Sequence, residues 1–142
     1  MTKVMLITGA GRGIGAATAK HAAQAGYAVA INYRSDKASA EGVVSDIEAS
    51  GGRAIAIQAD VADEADIVAM FETVDRELGR VEVLVNNAGV VDQISRVDEM
   101  SFERVDRMMK INVVGPFICA REAIKRMSIK HGGKGGVIVN VG

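Results

Sequence analysis

Short β-branched runs alternate with helical stretches along the whole 142-residue chain, and this alternation restricts the fold more than any other feature. The runs Val4–Thr8, Ala28–Tyr33, Ala54–Gln58, Val83–Asn86 and Val137–Val141 predict strands. Most are continuously apolar, the pattern of parallel strands covered on both faces. Between them, Ile67, Phe71, Val74 and Leu78 mark one helix face, and Phe117, Ala120, Ile124 and Met127 mark another. The stretch after the first run is rich in alanine, so its helix can lie close against a sheet. This order predicts a doubly wound α/β parallel sheet with right-handed crossovers. Nothing divides the chain: residues 1–142 read as one domain, or part of one.

The segment "LITGAGRGIG" places glycines at 9, 11, 13 and 15 directly after the first apolar run. Gly9 suits a tight turn, Gly13 lets the backbone approach a diphosphate, and Gly15 lets the helix pack on the strand. The free N–H groups of the helix start then face the anion. The spacing is T-G-x-x-x-G-x-G rather than G-x-G-x-x-G, since the sixth position counted from Gly9 is Ile14. An isolated match of this kind is also compatible with a purely structural turn.

The other motifs give the turn its meaning. Thr8-Gly9-Ala10-Gly11-Arg12-Gly13-Ile14-Gly15, then Asp60-Val61, then Asn86-Asn87-Ala88-Gly89, then Asn112 in "KINVVGPF" follow one another in an order that resembles the short-chain dehydrogenase/reductase family from end to end. The resemblance implies a Rossmann-like fold, with the first motif as the cofactor turn and Asp60-Val61 on the adenine side. Asn87, Ala88 and Gly89 line the cofactor cleft, and Asn112 is the catalytic asparagine. Asp60 also has a bland reading as a helix N-cap, but Asp63, with Asp66 three residues on, is better placed for that cap. Asn86 is expected to support the sheet, and Gly89 to clear space for the cofactor.

NAD enzymes usually carry an acidic residue at the end of the second strand, accepting hydrogen bonds from the ribose 2′-OH. By the family's spacing that position is Tyr33, so no carboxylate stands there to repel a phosphate. Arg34 follows at once and Arg12 lies in the glycine turn, the two places where NADP-preferring members carry basic residues. Two guanidinium groups converging on a 2′-phosphate make NADP(H) the expected cofactor.

The family's reaction is reversible hydride transfer between nicotinamide and a carbonyl or alcohol. It uses a tyrosine as general acid or base, a lysine that lowers its pKa, a serine that orients the substrate, and an asparagine. Of these four groups the sequence holds Asn112. The run "VIVNVG" ends at Gly142, one position before the expected serine, and Tyr33 with Lys37 matches Y-x-x-x-K by spelling alone. The expected sheet is therefore incomplete at its C-terminal end. The chain reads as an inactive N-terminal part of an NADP(H)-dependent oxidoreductase; the alternative is a non-catalytic NADP(H)-binding module, a sensor or partner subunit. An apolar strand left at a sheet edge favours the first reading.

Several classes of function are not expected. Lys and Arg total 17 against 18 Asp and Glu, without a long run of one sign, so neither nucleic acid nor a membrane surface is an expected partner. One cysteine, Cys119, leaves no disulfide framework, and a cytoplasmic setting is the default. Cys119 itself reads as a small buried hydrophobe. His21 and His131 join no triad, and no metal-ligand cluster is visible. A small-molecule carbonyl or alcohol substrate and a homo-oligomer of the complete protein, dimer or tetramer, are expected. "VVDQIS" after Gly89 borders the substrate cleft without naming a ligand.

Pro116 is read as interrupting a continuous helix. Lacking an N–H, it leaves free the carbonyl four residues back, that of Asn112, where the family resemblance implies a relay water. The alternative is that Pro116 opens a new helix at its first turn.

Overall fold

A computed structural model describes residues 2–142. Strands β1 (Val4–Ile7), β2 (Ala28–Tyr33), β3 (Arg53–Gln58), β4 (Val81–Asn86) and β5 (Val137–Asn140) alternate with helices α1 (Gly13–Gln24), α2 (Lys37–Ala49), α3 (Glu64–Glu77), α4 (Phe102–Met109) and α5 (Gly115–Met127). The strands form one parallel sheet in the order β3-β2-β1-β4-β5. The order reverses between β2 and β4 on either side of β1, so the carboxyl end of β1 opens into the crevice where such sheets bind ligands.

Each face of the sheet carries its own core. Leu6, Leu84 and Ile57 pack with Ile67, Phe71 and Val74 of α3 and with Cys119 and Ala123 of α5. On the other face Ile7, Val29 and Ile31 pack with Ala19 of α1 and with Val43 and Ile47 of α2. The alanines of α1 hold it close to the strands, as their size predicts. Asp63 caps α3, its carboxylate accepting from the Asp66 N–H at 3.0 Å, and Asp60 is left out of the cap.

One helix face differs from expectation. Phe117 and Ile124 are 73% and 49% exposed, while α5 buries Cys119, Ala123 and Met127 together with Glu122. The inward face thus includes a polar residue, which apolar periodicity passes over. Glu122 is enclosed by cations, Lys125 Nζ at 2.9 Å, Arg121 Nε at 3.0 Å and Arg126 Nη1 at 3.4 Å. Arg126 in turn pairs with Asp75 of α3 and lies over the Phe71 ring, 5.0 Å from its centroid. Burial alone would push the Glu122 carboxyl up, but the Lys125 and Arg121 donors outweigh it and hold the group below its ordinary range.

Among the described residues no helix is long and apolar enough to cross a membrane, and no three His, Cys, Asp or Glu side chains converge as metal ligands.

Candidate dinucleotide site

The glycine turn is held from three sides. Gly9 has φ +59°, and a Cβ there would stand 2.9 Å from the Ala88 Cα, so the turn leans directly on the segment after β4. At Gly15 a Cβ would meet Asn87 Nδ2 at 2.6 Å and the Gly9 carbonyl at 2.7 Å, so α1 starts closer to the sheet than any side chain permits. Gly13 differs: its φ is +56° and open space surrounds the missing Cβ. That open cradle at the head of α1 fits the close approach of a diphosphate to backbone N–H groups.

Thr8 and Asn87 tie the turn to β4. The Thr8 hydroxyl accepts from the N–H groups of Asn87 at 3.0 Å and Ala88 at 2.9 Å. Asn87 Nδ2 donates back to the carbonyls of Thr8 at 3.1 Å and Gly9 at 3.0 Å. Asn86 Nδ2 donates instead to Asn140 Oδ1 at 3.0 Å and to the Pro116 carbonyl at 3.3 Å, linking β4 to β5 and α5. The two asparagines thus divide the work, Asn87 on the turn and Asn86 on the sheet.

Asn32 is a further holding residue that sequence reasoning missed. Buried at the end of β2, it accepts from the Gly9 N–H at 3.1 Å through Oδ1, and its Nδ2 donates to the carbonyls of Ala59 at 3.1 Å and Ile57 at 3.4 Å. The signal was present: Asn32 is the one strongly polar residue inside the run "AVAINY".

A cleft of about 400 Å³ runs along the carboxyl ends of β1, β2 and β3 and brings together Gly11, Arg12, Tyr33, Arg34, Asp60 and Val61. Ala88 and Gly89 close one end, while Arg107 of α4, not foreseen, stands on the wall. Arg34 Nε lies 3.8 Å from Asp60 Oδ2, so the base expected at a 2′-phosphate and the acid expected at adenine are neighbours. Asp60 Oδ1 also accepts from the Ala62 N–H at 2.9 Å. Tyr33 closes β2 as expected, and Lys37 opens α2 paired with Glu41 at 3.6 Å, so these two do not form a catalytic pair.

A second cavity of about 870 Å³ lies beyond Gly89 and is bordered by Ile14, Val91, Asn112, Phe117 and Val141. Val90 and Val91 of "VVDQIS" border it. Asn112 grips the Val90 main chain, accepting its N–H at 2.9 Å and donating to its carbonyl at 2.9 Å. The sole predicted catalytic side chain is thus committed to the backbone, and the group expected to meet a relay water is its main-chain carbonyl.

That carbonyl lies in an unusual helical segment. Residues Lys110–Val114 form a π turn between α4 and α5, in which the Gly115 N–H reaches the Lys110 carbonyl five residues back. Pro116 stands in the first turn of α5 with helical residues on both sides and has no N–H to give the Asn112 carbonyl. Gly115 permits the crossing: a Cβ there would lie 2.5 Å from the Val61 carbonyl.

A parallel sheet with a glycine turn at its switch point and a polar cleft along its carboxyl edge is a Rossmann-like α/β architecture, the kind of sheet that takes ligands at that edge. The sequence profile of the short chain dehydrogenase family matches residues 3–142, and the chain belongs to that family. It is 46% identical over 138 residues to an uncharacterized oxidoreductase, YgfF, of Escherichia coli strain K12, covering 97% of this chain and 56% of that protein. It superposes with TM-score 0.91 and 38% identity on a short chain dehydrogenase from Burkholderia cenocepacia J2315 solved with NADP, covering 99% of this chain and 55% of the other. A blue fluorescent protein from a metagenomic library, solved with NADPH, superposes with TM-score 0.90 and 40% identity over 99% of this chain and 55% of its own. The chain therefore spans about half the length of the relatives it matches.

Proposed function

We propose that this chain forms the cofactor-binding portion of an NADP(H)-dependent oxidoreductase acting on a small carbonyl or alcohol substrate. One observation carries the reading: Arg12 and Arg34 border a single cleft whose β2 end bears Tyr33 rather than a carboxylate. Two guanidinium groups there suit a 2′-phosphate, each through charge-assisted hydrogen bonds. The NADP and NADPH complexes of the two similar structures support the same choice.

In this reading the N-terminus of α1 and the open side of Gly13 take the diphosphate, with Thr8, Gly9, Gly11, Ile14 and Gly15 shaping that approach. Asp60 and Val61 receive the adenine, while Asn87, Ala88 and Gly89 line the passage toward the nicotinamide end. When bound, the nicotinamide exchanges a hydride with the substrate. Asn112 fixes Val90 and, through its own carbonyl, offers an acceptor for a water on the proton path. The general acid or base of the family is not among these 142 residues, so residues 1–142 by themselves are expected to turn over no substrate.

The exposed stripe of Phe102, Val105, Met109, Val113, Phe117 and Ile124 along α4 and α5 supports a homo-oligomer. A cytoplasmic setting is part of the same proposal. The cofactor reading is tested by replacing Arg34 with Gln in the full-length protein and measuring both cofactors by fluorescence titration. NADPH binding is expected to weaken by about 1.5–3 kcal/mol at low ionic strength with NADH nearly unchanged. Equal loss for both cofactors contradicts the assignment of Arg34.

A further inference from the structure

The same cleft holds a carboxylate that neither the motifs nor the cofactor reading uses. Asp36 lies three residues beyond Tyr33, at the head of α2, and borders the cleft together with Arg12 and Arg34. Its position is fixed. Oδ1 accepts from the Ser39 N–H at 3.0 Å and Oδ2 accepts from the Ser39 hydroxyl at 2.7 Å. The first turn of α2 is seated against the glycine turn, where a Cβ on Gly11 would lie 3.4 Å from the Ala40 N. Asp36 is therefore carried on the same rigid wall as the cofactor turn. The Ser39 side-chain and backbone donors, and more weakly the charge of Arg12, hold its carboxyl below the ordinary range, so it stays ionised at neutral pH.

We propose that Asp36 is a specificity-determining residue that limits the preference for the 2′-phosphorylated cofactor by placing a fixed negative charge on the wall of the cleft that Arg12 and Arg34 also border. The inference rests on reading this cleft as the dinucleotide site. A fixed carboxylate opposes a phosphate of the same sign and partly neutralises the guanidinium groups meant for it, whereas an uncharged ribose 2′-OH feels little of either effect. The protein thereby retains appreciable affinity for NAD(H) relative to NADP(H).

The test is fluorescence titration of the full-length protein and its D36N and D36S variants with NADPH and NADH. Asn and Ser both serve as helix N-caps, so α2 keeps its start in each variant. The ratio of NADH to NADPH dissociation constants is expected to rise about threefold to tenfold in both, and the gain to shrink in 0.5 M salt as screening sets in. Loss of the cap alone would move both cofactors alike. An unchanged or lowered ratio in both variants overturns the inference, even where the unaltered protein prefers NADPH. Failure of the cofactor reading shows separately, as equal affinities in the unaltered protein.

Discussion

Asn112 holds Val90 by both ends of its carboxamide, with two 2.9 Å hydrogen bonds to one residue's N–H and carbonyl. A helix that crosses the sheet edge is thereby clamped to the segment leaving β4, and the two cavities meet at that clamp. Removing the side chain in Asn112→Ala is expected to cost about 1–2 kcal/mol of stability, the loss of two exposed-side hydrogen bonds. Hydrogen exchange at Val90 is the sharper readout. It should accelerate in the variant while the amides of β1 stay protected, and an unchanged Val90 amide contradicts the clamp.

The Asn32 side chain serves four backbone groups at once, the Gly9 N–H and the carbonyls of Tyr33, Ile57 and Ala59. In Asn32→Ala the Gly9 N–H and the Ile57 and Ala59 carbonyls lose their partner in a buried site, at a cost of roughly 2–4 kcal/mol. Chemical denaturation measures this. A loss below about 0.5 kcal/mol would show that water replaces the side chain without penalty.

How far the sequence disclosed this architecture depends on what kind of force placed each residue. The strands were legible because β1, β2 and β4 are enclosed between helices and so are apolar over most of their length, and their ends shifted by a residue or two at most. The glycine turn and the segment after β4 were legible because backbone packs on backbone there, which admits few residue types. The buried face of α5 was not. Periodicity treats Glu122 as a surface residue, and its burial is compensated by Arg121, Lys125 and Arg126 together, a condition visible only in three dimensions. The π turn was equally hidden, since it depends on Gly115 lying against Val61, two residues far apart in the chain.

Cys119 packs between α5 and the sheet, 1% exposed, and burial together with the nearby Glu122 charge pushes its thiol up to about 12. The thiolate is the reactive form, so Cys119 should resist a disulfide reagent at pH 8 in the native protein and react promptly once the protein is unfolded. Rapid stoichiometric labelling of the native state would contradict this packing.

Glu122 makes stability depend on acid. Its folded pKa lies below its ordinary value of 4.5, so its contribution is full above that value and is lost as pH falls through the lower, folded pKa. Comparing the unaltered protein with Glu122→Gln, the stability difference should be greatest near neutral pH and should narrow below pH 4.5. Denaturation series at several pH values check the sign. A gap that widens on acidification would contradict the ion cluster as the source of stability.

The central claim, that the cleft beside Arg12 and Arg34 receives a nicotinamide dinucleotide carrying a 2′-phosphate, is tested most directly by calorimetric titration of the full-length protein with NADPH and with NADH at one ionic strength. The account predicts saturable binding of both, with NADPH tighter by tenfold or more, on the order of 1.4 kcal/mol. Equal affinities, or tighter binding of NADH, would contradict it.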